Sequence, residues 1–150
     1  MKRGLVIFMV PILAIAAPSP DNVTKNKLAP SDWLYIVQKV ATGEQAWLNV
    51  IPDLAPNADH EQADYLEEAL ANALPINTKG VLSVLRVLDA GTYAEMGGTE
   101  IICVRKVVHQ GKAAEAYYND TRLALLDEPN GAQCLWNLEG VWEEEKHRKE

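Results

Sequence analysis

The sequence predicts an all-α fold, a small stack of six or seven antiparallel helices, of which an armadillo- or HEAT-like array is one form. Two observations support this prediction. Apolar residues recur every three to four positions through 31–142, the period of helices with one buried face. Capping residues precede several of these runs, and no pair of alternating segments flanks a hairpin turn. At 150 residues, with 48% hydrophobic and 23% charged residues, the chain suits one domain.

The first seventeen residues, 1–17, have the pattern of a secretory signal peptide. Lys2 and Arg3 form a basic start, an apolar run follows, and Ala14 and Ala16 flank Ile15 in a small-x-small cleavage signature. The run is shorter than the roughly 20 residues of a bilayer span, and no later stretch reaches that length. We therefore expect an exported, soluble protein without a membrane span. A retained N-terminal anchor is the alternative.

The net charge predicts the kind of partner. Cleavage removes Lys2 and Arg3 but no acidic residue, which takes the formal net charge from −7 to −9. An acidic surface repels nucleic acid and anionic membranes, and it accelerates the encounter with a basic protein. We therefore expect a protein partner and no nucleic acid. A charge that only keeps a small protein soluble is the alternative.

The two cysteines, Cys103 and Cys134, predict a disulfide. Exported chains pass into oxidising compartments, where paired cysteines form bridges. This bridge would close a loop of about thirty residues and stabilise the fold by roughly 3–4 kcal/mol. It would fasten the last helix to the segment that follows a long loop.

The first third of the chain predicts a leader and two helices. Residues 18–30 are polar, without an apolar period, and are expected to form a flexible leader. Ser31 is placed to cap the first helix. Thr42 and Gln45 have capping-box spacing for a second helix, which ends or kinks at Pro52.

The densest apolar surface lies between Asp59 and Gly91, in two helical patterns separated by Pro75. Asp59 and Gln62 form a capping-box pair for the first helix, and Asn77 can cap the second. The second pattern is apolar around more of its circumference. We therefore expect it at the centre of the fold.

The remaining chain predicts a loop, three helices and a tail. Residues 90–99 are glycine-rich and are called the long loop here. Residues 100–110 contain many β-branched side chains, which makes a strand a competing prediction. The spacing of their apolar residues favours a helix. Helices over 112–126 and 130–142 complete the domain. Residues 143–150 are expected to form a charged tail.

The residue types that carry out catalysis or bind metals do not form a recognisable pattern. His60, His109 and His147 lack the spacing of helical metal sites. Cys103 and His109 have the side chains of a nucleophile and its base, but we expect Cys103 to form a disulfide instead. No glycine-rich phosphate loop is present. We therefore expect a protein that is not an enzyme and that uses neither a metal nor a cofactor.

The expected partner-binding residues lie in and beside the long loop. Tyr93 and Met96 are side-chain types favoured at interfaces. Asp89 and Glu95 give the same patch a negative charge, which is also the sign of the protein's net charge. A tyrosine in a glycine-rich loop is also compatible with an ordinary surface residue, which is the alternative.

Several short patterns resemble periplasmic immunity proteins that act against the peptidoglycan amidases of type VI secretion systems. The likeness extends over about residues 33 to 138. It is carried by Trp33-Leu34, Leu70-Ala71-Asn72-Ala73-Leu74, Asn77 with Val81-Leu82, and Cys134-Leu135. No family motif aligns residue by residue, so the resemblance assigns no contact residue.

The resemblance implies a periplasmic inhibitor that binds an amidase effector and occludes its Cys-His active cleft. The rival interpretation is a periplasmic adaptor or scaffold that binds a peptide or another envelope protein. The sequence leaves the oligomeric state open, with a homodimer among the alternatives.

Overall fold

The computed structural model describes residues 11, 17–25, 27–109 and 111–148, and within these ranges all regular secondary structure is helical. The predicted all-α class is therefore confirmed. The proposed signal peptide lies almost entirely outside the described residues, as do the last two residues of the predicted tail. The elements in order are α1 (Pro30–Ala41), α2 (Gln45–Leu48), α3 (Ile51–Leu54), a 3-10 turn (Ala55–Asn57), α4 (His60–Ala73), α5 (Thr78–Ala90), α6 (Thr99–Ile102), α7 (Lys112–Leu126) and α8 (Ala132–Arg148).

Two of the predicted helices are shorter than expected. The second is divided into the single turns α2 and α3, and Pro52 lies in the first turn of α3, where its missing N–H is not needed. The segment predicted over 100–110 is described as far as 109, and it contains one helical turn, α6, and then a series of turns over 103–109. No strand forms in this described part of the segment.

The capping residues predicted for the central helices are confirmed. The N–H of Gln62 donates to Oδ1 of Asp59 at 2.8 Å, and the Gln62 side chain accepts from the N–H of Asp59 at 3.0 Å. At the start of α5, Oδ1 of Asn77 accepts from the N–H of Gly80 at 3.1 Å. Both side chains satisfy backbone donors that a helix leaves open.

Two other predicted caps are wrong. The first helix begins one residue before Ser31, and Asp32 accepts the N–H of Ala29 at 2.8 Å. Thr42 does not open a second helix, because its hydroxyl donates to the carbonyl of Lys39 at 2.7 Å at the end of α1. Both segments offered more than one polar residue that could satisfy the same backbone groups.

The core is built around the predicted central helices. α5 contacts α2, α3, α4 and α6, as expected of a central element, while α1 packs along α4 and α8 packs against α6 and α7. The largest fully buried side chains are Ile36, Leu48, Ile51, Leu66, Leu70, Leu74, Leu85, Ile102, Leu125 and Leu138.

The described part of the segment 18–30 packs against the domain. Residues 20–25 form turns, and the N–H of Ser19 donates to Asn22 at 2.9 Å. Val23 is only 1% exposed, and Leu28 packs against the core. This segment is therefore not the solvated leader that its polarity predicted, because single apolar side chains anchor it without forming a periodic pattern.

The charged residues after 142 are helical. α8 continues to Arg148, and Glu145 is only 5% exposed. Its Oε1 lies 3.2 Å from Arg148 and its Oε2 lies 3.6 Å from His109. The domain boundary predicted at 142 is therefore too early, since an ion-paired glutamate can be buried where an isolated one cannot.

Candidate protein-binding groove between α6 and α8

The disulfide predicted between Cys103 and Cys134 is present and buried. Their Cα atoms are 5.5 Å apart. Cys103 follows the last residue of α6, and Cys134 lies in the first turn of α8. The bridge therefore holds these two helices side by side.

An ionic cluster ties the segment after α6 to α4. The guanidinium of Arg105 lies 2.6 Å from Asp64, 3.1 Å from Glu67 and 2.8 Å from Glu68. Lys106 also pairs with Glu68. Glu67 is only 8% exposed, so the arginine compensates a carboxylate that has lost most of its water.

The cluster changes the proton affinity of Glu68. Partial burial raises the pKa of its carboxyl group, but the hydrogen bonds from Lys106 and Arg105 outweigh burial, so the pKa lies below its ordinary value. Glu68 therefore remains a carboxylate at neutral pH and stays ion-paired with Arg105 and Lys106.

Asp89 holds the start of α6 from the last turn of α5. Its Oδ1 accepts the N–H of Thr99 at 2.9 Å, and its Oδ2 accepts the Thr99 hydroxyl at 2.6 Å. A Cβ at Gly98 would lie 2.0 Å from Oδ1 of Asp89. The glycine is thus required for this close approach, and Asp89 has a structural function beside any role at an interface.

The other predicted binding residues do not form one exposed patch. Met96 is only 6% exposed and belongs to the core, so its prediction as a surface contact is wrong. Tyr93 is half-buried and packs against the core. Glu95 is exposed and lies 3.3 Å from His60. Met96 turns inward because packing in the core removes its apolar side chain from water.

A groove next to the long loop offers a more continuous surface, which we call the α6–α8 groove. It consists of adjoining depressions between the α5–α6 region and α8. Its lining includes Asp89, Thr99, Glu100, Ile101, Gln133, Trp136, Asn137, Gly140 and Glu144.

The α8 wall of the groove is one face of a helix. Gln133, Trp136, Asn137, Gly140 and Glu144 follow one another at intervals of one, three and four residues, which places them along one side. Trp136 is 76% exposed, although tryptophan is usually mostly buried. Its exposure gives the groove a large apolar side chain without a partner in the described chain.

Gly140 leaves a gap in this wall. It lies inside α8, where glycine costs about 0.5–1 kcal/mol relative to alanine. Its φ is not positive, and an added Cβ would meet nothing within 4 Å. The described structure therefore does not need a glycine here. The gap allows another backbone to approach α8 closely.

Two unpaired carboxylates, Glu100 and Glu144, line the same depression as Trp136. Both are exposed, and neither forms an ion pair within the described ranges. The other glutamates of α8 pair with basic residues: Glu139 with Arg122, Glu143 with Lys146, and Glu145 with Arg148.

The helix that carries Trp136 is firmly held. The rings of Tyr118 on α7 and Trp142 on α8 stack with centroids 4.9 Å apart. The hydroxyl of Tyr117 donates to the carbonyl of Ala71 at 2.6 Å and ties α7 to α4. Burial raises the pKa of Tyr117 above its ordinary value, so this donor stays protonated. The stacked rings and the disulfide therefore fasten α8, which forms one wall of the groove, to α7 and to the segment after α6.

A second depression, the α1–α4 groove, lies between those two helices and includes Leu28, Trp33, Leu34, Glu61 and Tyr65. Leu34 is 58% exposed and Tyr65 is 43% exposed. The hydroxyl of Tyr65 donates to Glu61 at 3.0 Å. This groove shares no residue with the α6–α8 groove, so the two surfaces can be tested separately.

Neither a metal cluster nor a membrane span is found in the described part of the chain. No three His, Cys, Asp or Glu side chains come together there to hold a metal ion. None of the described helices combines the length and hydropathy that crossing a bilayer requires.

Sequence reasoning missed Trp136 and Gly140. Their signal was their position on the predicted last helix. The apolar face defined by Cys134, Leu138 and Val141 leaves Trp136 on the outer side. An aromatic residue on an outward face, one turn from a glycine, was available evidence for a contact surface.

Comparison of the chain with protein-family models, curated proteins and solved structures found no significant match. The described residues form an all-α, disulfide-linked domain with a surface groove. Its function is inferred from the described residues and from the resemblance stated above.

Proposed function

We propose that this chain is an exported binding protein of the inhibitor class, which docks a protein partner in the α6–α8 groove. The main observation is Trp136, which is 76% exposed on a helix that a disulfide fastens to the segment after α6, one turn from Gly140. Tryptophan is the side-chain type most enriched at the energetic centres of protein interfaces. A surface fixed before binding loses little conformational entropy when it docks.

The proposed partner is a peptidoglycan amidase, and the chain inhibits it by covering its active cleft. The resemblance to amidase immunity proteins motivates this choice of enzyme. The acidic charge, formally −7 for the whole chain and −9 after the proposed cleavage, supports a partner with a basic surface around its cleft, because complementary charge accelerates association. In this proposal the chain acts in the periplasm and carries out no reaction itself.

An adaptor that joins two envelope proteins is the second candidate. The α1–α4 groove favours it, since Leu34 and Tyr65 present apolar surface away from Trp136. An inhibitor needs one docking surface, whereas an adaptor needs two that can be filled at the same time. The two candidates therefore differ in which substitutions abolish binding.

The test is a titration of purified peptidoglycan amidases with the full chain, followed by hydrolysis of peptidoglycan. The inhibitor proposal predicts that the activity of one amidase falls to zero at equimolar chain. Trp136→Ala should weaken inhibition by about 2 kcal/mol or more, the value of an interface hot spot. The matched control Leu34→Ala removes an exposed apolar side chain from the other groove and should leave inhibition unchanged.

Two outcomes contradict the inhibitor proposal. One is that no amidase in a broad panel is inhibited, while capture from an envelope extract recovers a non-hydrolase. The other is inhibition that Leu34→Ala abolishes and Trp136→Ala does not affect. Loss of separate partners by these two variants would instead support the adaptor.

A further inference from the structure

We infer that Trp136, Glu100 and Glu144 form an anchoring site for an arginine side chain on a basic segment of the partner. This inference deepens the proposed function and depends on it for the location of the interface. It rests on an exposed indole and two unpaired carboxylates that line one depression.

The three side chains match the chemistry of a guanidinium group. A planar guanidinium stacks on the face of an indole and is attracted by the negative potential of its ring. Its N–H groups can also donate to carboxylate oxygens in a fixed fork geometry. Lysine offers a point charge without the stacking plane. The site should therefore prefer arginine to lysine.

Among the described residues, no ion pair joins these carboxylates to one of the chain's own cations. Arg105 and Lys106 are paired with carboxylates of α4. Lys146 and Arg148 are paired with Glu143 and Glu145, and Arg86 lines a different depression of the groove. Glu100 and Glu144 therefore keep their negative charge available to an incoming cation. This arrangement supplies the charge complementarity that favours a basic occupant over a purely apolar one.

Gly140 adds room for the backbone that carries the arginine. It lines the same depression, one turn from Trp136 and one turn from Glu144. Since an added Cβ would meet nothing within 4 Å, the partner's chain can approach α8 at this point. The occupant we infer is therefore a segment that lies across the gap and places its arginine on the indole.

The test uses NMR titration of the full chain with a blocked, alanine-rich helical peptide that bears arginine at every fourth position. The indole N–H signal of Trp136 is assigned with Trp136→Phe. We expect this signal to shift more than those of Trp33, Trp47 and Trp142. Trp136→Ala and the double variant Glu100→Gln/Glu144→Gln should each weaken peptide binding about tenfold.

The controls separate this site from general attraction to an acidic protein. Glu115→Gln removes an exposed carboxylate from α7 and should leave the dissociation constant unchanged. A peptide with lysine at the same positions should bind several-fold more weakly, and a peptide with glutamate should not bind. Equal binding of the lysine and arginine peptides, or a titration that leaves the Trp136 signal unmoved, would overturn the inference.

Failure of this inference is distinguishable from failure of the proposed function. If amidase inhibition depends on Trp136 while the arginine peptide does not bind there, the groove is the docking surface and the arginine anchor is wrong. If the arginine peptide binds at Trp136 and no amidase is inhibited, the anchor stands and the proposed function is wrong.

Discussion

The backbone N–H of Gly97 donates a hydrogen bond to Oε1 of Glu67 at 2.7 Å, which joins the long loop to the centre of α4. The other oxygen of this carboxylate accepts from Arg105 at 3.1 Å. One nearly buried carboxylate on α4 thus connects to the segments on both sides of α6. The position of α6, and with it one wall of the groove, depends on this carboxylate.

We expect Glu67→Ala to lower the free energy of unfolding by about 1–3 kcal/mol, because it leaves the partly buried N–H of Gly97 and one N–H of the Arg105 guanidinium without an acceptor. Urea unfolding followed by circular dichroism measures this change. The matched control is Glu115→Ala, an exposed glutamate on α7, which should change stability by less than about 0.5 kcal/mol. Similar effects of the two substitutions would show that the cluster is only a surface feature.

Removal of the disulfide should reduce stability without changing the fold class. The double variant Cys103→Ala/Cys134→Ala is expected to lose roughly 3–4 kcal/mol, because the unfolded chain regains the entropy of the closed loop. Thermal unfolding of the oxidised, reduced and double-variant proteins measures this loss. A reduced protein as stable as the oxidised one would contradict the structural role of the bridge.

Acid should weaken the cluster around Glu68. Its folded-state pKa lies below the ordinary value of 4.5, so its contribution is fully present above that pH. The contribution is lost as the pH falls through the lower, folded-state pKa. We expect Glu68→Gln to be less stable than wild type at neutral pH and to approach it at low pH. A stability difference that stays constant across this range would show that ionisation of Glu68 does not contribute.

Two glycines with open space around them should respond to alanine in opposite directions. Gly111 has φ 63° and ψ −140°, which an L-residue adopts only with strain, so Gly111→Ala should cost about 1–3 kcal/mol. Gly140 lies in regular helix, so Gly140→Ala should stabilise by about 0.5–1 kcal/mol. Since nothing lies within 4 Å of either added Cβ, steric contacts do not explain the difference. Chemical denaturation measures both values, and equal signs would contradict the assigned backbone conformations.

The sequence was sufficient to predict what depends on local pattern. The all-α class, the caps at Asp59 and Asn77 and the disulfide follow from periodicity, side-chain chemistry and the number of cysteines. These features depend on near neighbours in the chain or on a single possible pairing. The helix caps predicted at Ser31 and Thr42 were wrong, because neighbouring polar residues compete to satisfy the same backbone groups.

The groove could not be predicted because it depends on contacts between distant segments. The ion pairs of Arg105 join residues about forty positions apart, and no local pattern encodes them. The inward direction of Met96 likewise depends on where the loop crosses the core. An exposed Trp136 could be suspected from the helical period, but its proximity to Glu100 required the tertiary fold.

The most direct test of the central claim, that α8 keeps an open face for a partner, is the affinity of Gly140→Leu for the protein that wild type binds. Leucine is a good helix former, so we expect stability to be unchanged or higher while the filled gap weakens binding at least about tenfold. Chemical denaturation of the same preparation verifies the fold. Unchanged affinity for that partner at unchanged stability would contradict the claim.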